Sequence, residues 1–369
     1  MADILRVAVV GCGIGAQHVE AYRSLRDLFD VVAICDVDEA RAREVAAAHG
    51  IDRVLTDLDA LCALDDVEVV DICTPPYLHV AQTLRVLESG KHVICEKPLA
   101  GSLADVDRVA LAEMRSGRRV MPIFQYRFGH GLQKLKRLVE QGITGRAYLT
   151  TVETAWRRRP AYYAVPWRSR WATELGGPVV NLAIHAHDLV YYLLGPARCV
   201  SAHLTTLVNP IETEDCVAAS LEMADGSLCT LAVTTGSAQQ ISRHRFCFAH
   251  LSAESNTEPY ANSSDPWTFI GDSPEVEDRV RETLAAFMPG LQGYAGQFSR
   301  YHEALQSGTE LPVTLADARA SIELITAIYH AARTREPVML PLDAAHPLRG
   351  GWQLAGRPGS ARDTPGRLH

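Results

Sequence analysis

Over the first 125 residues, apolar and polar positions fall into two alternating kinds of block. Short, nearly continuous apolar runs at 5–10, 31–35, 67–73, 92–95 and 119–124 predict buried strands. Between them, stretches with apolar residues three and four apart at 14–28, 39–49, 78–89 and 103–116 predict amphipathic helices, with a short helix near 57–64. Strands separated by helices of this length need crossover connections, so the pattern predicts a doubly wound parallel sheet covered on both faces. After about residue 145 the period becomes two, at 147–154, 199–207, 216–222 and 227–235, the last pair joined through Ala224-Asp225-Gly226. Such segments predict a large, mainly antiparallel open sheet. Amphipathic stretches at 294–306 and 315–333 predict helices returning onto one of the two sheets. The polar run 252–278 predicts a long loop, and the Gly, Arg and Pro content beyond Leu348 a loose tail. The predicted fold class is α/β, with a doubly wound domain at 1–125, an α+β domain at 126–348 and a tail at 349–369.

Composition narrows the function. A chain of 369 residues with 47% hydrophobic and 22% charged residues suits two globular domains without general disorder. Thirty-six basic against 44 acidic residues leave a net charge of -8, which argues against nucleic acid as a partner. Nine cysteines form no C-x-x-C pair and no zinc-like cluster with histidine, so they read as reduced core residues and no metal is expected. The chain shows no signal-peptide pattern and no membrane-length apolar run, so a cytoplasmic protein without a membrane partner is expected. Only Lys91, Lys97, Lys134 and Lys136 are lysines. Where arginine serves for most positive charge, each remaining lysine draws notice.

The turn after the first strand reads Gly11-Cys12-Gly13-Ile14-Gly15-Ala16. Glycines there let the backbone approach a pyrophosphate held by the amides of a helix N-terminus. The third glycine falls one place early, and Ala16 occupies its usual position. Asp36 ends the second strand, where a carboxylate can accept from both adenosine ribose hydroxyls; the alternative is a solvated Asp opening a turn. An acid there repels a 2'-phosphate, and Val37-Asp38 supply no compensating base, so NAD is expected over NADP. Thr74, Pro75 and His79 follow the next strand at the sheet's carboxyl edge, where prolines either touch a cofactor or simply start a helix. The strand after that ends Cys95-Glu96-Lys97-Pro98. An ammonium at Lys97 favours a developing alkoxide. In the second domain, Gly176-Gly177 leads into a predicted helix in which Asn181, His185 and Asp188, at i, i+4 and i+7, share a face while His187 points away. His185 can take a hydroxyl proton as hydride leaves the same carbon.

Taken together, the Gly-x-Gly turn, Asp36, Thr74-Pro75 with His79, Glu96-Lys97-Pro98, and Gly176-Gly177 before His185 and Asp188 resemble the glucose-fructose oxidoreductase and inositol dehydrogenase family (Gfo/Idh/MocA) from about residue 4 to 340. The resemblance implies a Rossmann domain, a C-terminal domain whose open sheet makes homodimer or homotetramer contacts, and NAD(P)-dependent oxidation of a sugar or cyclitol hydroxyl. It implies that Lys97 is the catalytic lysine and His185 the histidine of the family's D-x-x-x-H element, with Asn181 in place of the aspartate.

Between Trp156 and Trp171 lie five arginines and five aromatics and no acid. Aromatic faces stack on pyranose C–H faces and guanidinium groups fork onto hydroxyls or a carboxylate, or the rings simply pin a loop. Tyr126, Arg127, Tyr163, Trp167, Arg168 and Asp188 are candidate substrate contacts. The leading expectation is an NAD-dependent sugar or cyclitol dehydrogenase. The same site also admits a glycoside-processing enzyme that recycles its NAD internally, or a non-catalytic sugar-sensing protein.

Overall fold

The computed structural model describes residues 3–353; the remainder of the expected tail lies outside the described residues. The apolar run Leu5–Val10 forms β1, followed by α1 (Gly15–Arg23), β2 (Phe29–Cys35), α2 (Glu39–His49), β3 (Val54–Leu55), α3 (Leu58–Cys62) and β4 (Val69–Ile72). The series continues with α4 (His79–Glu88), β5 (His92–Cys95), α5 (Leu103–Ser116) and β6 (Val120–Pro122). These six strands pair in parallel in the order β3-β2-β1-β4-β5-β6. The strand order reverses between β1 and β4, so their carboxyl ends open the crevice where ligands of such sheets bind. Helix α2 occupies 39–49 as expected, started by the Asp38 side chain accepting from Arg41 N and stopped by Gly50 in the left-handed region. Helix α1 is shorter than the expected 14–28, and β3 is a strand the pattern did not show.

The second half contains α6 (His130–Glu140), β7 (Ala147–Arg157), α7 (Pro160–Tyr163), α8 (Pro178–Asn181), α9 (Ile184–Leu194), β8 (Ala197–Thr205), β9 (Cys216–Met223) and β10 (Leu228–Thr234). It ends with β11 (Gly236–Phe248), β12 (Leu251–Glu254), β13 (Thr268–Gly271), α10 (Pro274–Ala285), α11 (Gly293–Ser307), α12 (Leu315–Thr334) and β14 (Val338–Met339). Eight strands form one sheet in the order β13-β12-β11-β7-β10-β9-β8-β14, antiparallel except where β10 meets β7. The Cys216–Met223 strand alternates buried and open positions, as a sheet covered on one face requires.

Two expectations need correction, and one long strand had not been expected. The run 252–278 is not one long loop: it holds β13, most of β12 and the start of α10. The thirteen-residue β11 carried no apolar signature because its inward positions include Ser242 and His244, whose polarity is absorbed by hydrogen bonds to Pro259 O (2.8 Å) and Ala186 O (3.0 Å). The tail is not loose at its start, since Trp352 is fully buried, its indole stacked on Tyr329 and its Nε1 donating to Leu175 O at 2.6 Å.

The late helices bind both sheets into one body. Helix α11 packs on α1, with Phe298 stacked on Tyr22 at 4.3 Å, and Gln297 closes the β6 edge by donating to Pro122 O and accepting from Phe124 N. Helix α12 lies against α5, α9 and β8. Among the described residues, no helix is long and apolar enough to cross a membrane.

Candidate active site

The turn after β1 is built from three glycines with three different jobs. Gly11 has φ +93°, and a Cβ there would lie 2.7 Å from Cys73 C and O, so only glycine lets β1 turn against β4. A Cβ on Gly15 would sit 3.0 Å from Val9 Cγ1 and 3.2 Å from Cys73 Cβ, which makes Gly15 the close contact between helix and sheet. Its early place in the motif therefore moves the packing role by one residue. Gly13 faces open space, with nothing within 4 Å of a Cβ, and this is the cradle a pyrophosphate would enter between Gly11 and Ala16. The Asp36 carboxylate accepts from Cys12 N (2.7 Å) and Asp38 N (2.9 Å). It ties the loop to the end of β2 and keeps further lone-pair sites for a ribose. The loop and Asp36 thus fit a dinucleotide.

Beneath the loop lies a buried ionic core. His18 of α1 points Nδ1 at Asp71 Oδ2 (2.8 Å) and Nε2 at Glu96 Oε1 (3.1 Å), and its side chain is fully buried. A neutral imidazole has one N–H and would turn a lone pair on one carboxylate, so both nitrogens donate and the ring is an imidazolium. Burial alone would lower its pKa, but Asp71 and Glu96 outweigh burial and raise it to about 9. Tyr22 OH donates to Asp71 and Tyr294 OH to Glu96, both at 3.0 Å. Burial works against the Glu96 charge, yet the His18 hydrogen bond and the neighbouring Lys97 hold the carboxyl down to about 2. Cys73 completes a close trio with His18 and Asp71, whose donor atoms face one another in hydrogen bonds.

Lys97 follows directly. Its main-chain N–H donates to Glu96 Oε2 (2.9 Å), and its half-buried ammonium donates to the main-chain oxygen of Asn181 (3.0 Å). Burial lowers its pKa against the pull of Glu96. His185 enters from α9, stacked on Tyr126 at 4.4 Å and 13°, with a fully buried Nδ1 that has no partner among the described residues. Burial first and the Lys97 charge second depress its pKa to about 3, so the ring is neutral at physiological pH. Two groups 88 residues apart in sequence are thereby brought near enough for the Lys97 charge to act on the His185 ring.

Residues 5–124 match the description "Oxidoreductase family, NAD-binding Rossmann fold" and residues 132–249 the "GFO/IDH/MocA C-terminal domain". The chain belongs to the Gfo/Idh/MocA family. It is 28% identical over 371 residues to D-glucoside 3-dehydrogenase of Escherichia coli, covering 91% of this chain and 97% of that protein. It is 31% identical over 192 residues to myo-inositol 2-dehydrogenase of Thermotoga maritima, 52% of this chain and 55% of that one. The WlbA dehydrogenase of Bordetella pertussis, solved in complex with NADH and UDP-GlcNAcA, superposes with a TM-score of 0.80 at 29% identity over 92% of this chain and all of that one. Members of the family named in this way are sugar and cyclitol dehydrogenases, and this chain is an oxidoreductase of that family with an NAD-binding Rossmann domain.

Several expected contacts of this family member lie elsewhere. The predicted helix over Asn181, His185 and Asp188 is broken at Leu182 and Ala183, so the three do not share a face. Asn181 turns its Nδ2 back onto Glu174 O (3.1 Å) and Gly176 O (2.9 Å), and its main chain, not its amide, meets Lys97. Asp188 is buried in a bidentate pair with Arg127 (2.8 and 2.6 Å), which also reaches Asp317 at 3.0 Å; these groups hold α9 to α12 and are spent on one another. His79 has both ring nitrogens on carbonyl oxygens, Pro98 O (2.8 Å) and Thr74 O (2.7 Å), and so braces the turn after β5. Thr74 Oγ1 donates to Gln82 (2.6 Å), and Pro75 sits extended before the short 3-10 turn Pro76–Leu78. His187 is buried beside a small apolar void, not solvated.

The tyrosines of the aromatic loop line a small pocket with Glu174 and Asn181. Arg168 lies 3.9 Å over the Tyr162 ring and 4.2 Å over Trp167, and pairs with Glu174 at 3.2 Å. Tyr163 OH donates to Thr235 Oγ1 at 3.4 Å. The double glycine has a packing cause: a Cβ on Gly177 would strike Glu214 O at 2.0 Å, and the Glu214 carboxylate caps Gly177 N and Val179 N. His18, Asp71, Glu174 and Glu214 escaped the sequence reading. Asp71 had a signal, as a carboxylate inside an apolar strand demands a buried partner.

Proposed function

We propose that the protein is an NAD-dependent dehydrogenase acting on a secondary hydroxyl of a sugar, sugar derivative or cyclitol. The observation that carries this reading is the Lys97 ammonium just beyond β5 acting on the buried, neutral ring of His185, in a chain whose first sheet also carries the glycine loop. The amides of Gly11 to Ala16, the Asp36 carboxylate and the Thr74-Pro75 turn would hold NAD, which when bound supplies the hydride acceptor. Asp36, with Arg41 paired to Asp38 at 3.3 Å, favours NAD over NADP.

The substrate oxygen is held by the Lys97 ammonium, which stabilises negative charge developing on it. His185 takes the proton. With Nδ1 buried, Nε2 is the nitrogen that meets the hydroxyl. A neutral imidazole depressed to about 3 is a weak base toward a resting alcohol, so the proton passes to it as hydride leaves the same carbon, while the Lys97 ammonium holds the negative charge that builds on the oxygen. Tyr126 fixes the imidazole plane by stacking, in place of a hydrogen-bonded carboxylate. The open face of the second sheet, with exposed Tyr148, Leu228 and Ile270, supports a homodimer or homotetramer, as sedimentation would read.

The test is reduced-cofactor absorbance with NAD and, separately, NADP across sugars, cyclitols, uronates and glycosides. NAD reduction with one substrate group, lost in Lys97→Ala and His185→Ala, is the expected outcome. Tight cofactor binding with no reduction across the panel overturns the reading.

A further inference from the structure

Lys97 is held at both ends. Its main-chain N–H rests on Glu96 Oε2 at 2.9 Å, and its ammonium donates to the main-chain oxygen of Asn181 at 3.0 Å, across 84 residues. The second hold is made by the end of α8. That helix stops where the N–H groups of Leu182 and Ala183 both return to Pro178 O, at 3.0 and 2.8 Å. The Asn181 oxygen is therefore a helix-end carbonyl, an acceptor that needs a partner from outside the helix.

The Asn181 side chain fixes where that carbonyl lies. It is buried, and its Nδ2 faces three main-chain oxygens: Gly176 O at 2.9 Å, Glu174 O at 3.1 Å and Gly177 O at 3.4 Å. Three acceptors converging on one terminal atom require that atom to be the NH2 group, since an amide oxygen there would meet only other oxygens. The loop it grips is itself braced. The Glu174 carboxylate accepts from Arg168 at 3.2 Å, and Glu214 accepts from Gly177 N at 3.1 Å and Val179 N at 3.3 Å. Residue 181 thus gives its amide to a fixed loop and its carbonyl to the lysine. A carboxylate in the same place has no hydrogen to donate and would set its charge against three oxygens; only its protonated form offers an O–H.

We infer that Asn181 is a positioning residue for Lys97: its amide clamps residues 174–177 and thereby fixes the main-chain oxygen on which the lysine ammonium rests, without lending charge or a proton to the reaction. This rests on the dehydrogenase reading above only for what the lysine then does. It makes the asparagine a requirement of this loop rather than a weakened aspartate.

The first test is Asn181→Asp, with kcat/KM measured from pH 5 to pH 8 and divided at each pH by that of the unaltered protein. The groups facing residue 181 are Lys97 on its oxygen, Glu174 with Arg168 on the gripped loop, Glu214 behind Gly177, Tyr162 and Tyr163 along the same small pocket, and His185 at the start of α9. Lys97 and Arg168 favour an ionised carboxyl at 181; the three carbonyl oxygens, Glu174 and Glu214 oppose it. The ratio should be depressed on the order of tenfold or more at pH 8 and should rise as the pH falls, because protonation returns one donor. A ratio that rises with pH overturns the assignment, since it marks a carboxylate working by its charge. A ratio indifferent to pH overturns it as well.

The second test needs no turnover. Lys91, Lys97, Lys134 and Lys136 are the only lysines, so reductive methylation read by peptide mass spectrometry follows each separately. In Asn181→Ala, Lys97 should be methylated several-fold faster relative to Lys134 and Lys136 than in the unaltered protein. A variant that loses stability while the relative rate at Lys97 stays the same marks a merely structural asparagine and overturns the assignment. If Asn181→Asp does not fold, the Lys97 rate in Asn181→Ala decides. If no sugar or cyclitol is oxidised by the unaltered protein, the dehydrogenase reading fails, and the same rate still decides whether Asn181 holds the lysine.

Discussion

Two buried histidines, in the core under the glycine loop and on α9, have opposite charge. His18 and His185 are almost equally withdrawn from water, at 0% and 6% exposure, yet the first is raised to about 9 and the second depressed to about 3. Burial pushes both in the same direction. The difference comes from company: His18 sits between two carboxylates, His185 beside an ammonium and a tyrosine face. The core therefore uses a histidine as a fixed cation that binds α1 to the strand end carrying Lys97. Helix α9 uses one as a neutral acceptor. Residue type set neither role.

The contrast is broken most severely at Lys97. Lys97→Ala should lower kcat/KM by roughly 10³ to 10⁴, since the charge on the reacting oxygen loses its stabiliser. In Lys97→Met the imidazole of His185 should titrate closer to its ordinary value, as histidine NMR would show; an unmoved signal removes Lys97 as a cause. His185→Ala should cost about 10² to 10³ in kcat with a smaller change in cofactor affinity. Activity within tenfold of the unaltered protein would falsify its assignment as the proton acceptor.

His18→Gln sharpens the other side of the comparison. A histidine raised from 6.5 to about 9 on folding adds stability that is complete below pH 6.5 and disappears as the pH rises through about 9. That difference corresponds to about 3 kcal/mol. Urea unfolding between pH 6 and pH 9.5 should show this slope in the unaltered protein and lack it in His18→Gln, which should also be destabilised at pH 6. An identical slope in both proteins would place the proton elsewhere.

The smallest effects separate packing from binding within the loop. Gly11→Ala should destabilise by about 2 kcal/mol or more, because its φ of +93° and the Cys73 backbone at 2.7 Å leave a methyl no room. Gly13→Ala should leave stability within about 0.5 kcal/mol while weakening NAD binding several-fold. Calorimetry of the two variants with and without NAD reads both quantities, and a Gly13→Ala protein with unchanged affinity argues against pyrophosphate at that position.

By itself the sequence determined the alternation of strand and helix through residue 125, the glycine turn, Asp36 and the Glu96-Lys97-Pro98 strand end. Those features are local: each follows from a period, a cap or a turn within a few residues, and a parallel sheet puts every strand's carboxyl end on one edge. The partners of side chains drawn from distant segments were settled only in the folded chain. Asp188 went to Arg127 across 61 residues, Asn181 turned back on its own loop, and His79 was taken up by two carbonyls. His18, a residue in an ordinary helix pattern, became a cation because Asp71 and Glu96 closed on it from two strands, 53 and 78 residues away. Backbone periodicity is written along the chain, whereas charge state depends on which groups share a low-dielectric volume, and that is fixed only when the sheets and helices pack.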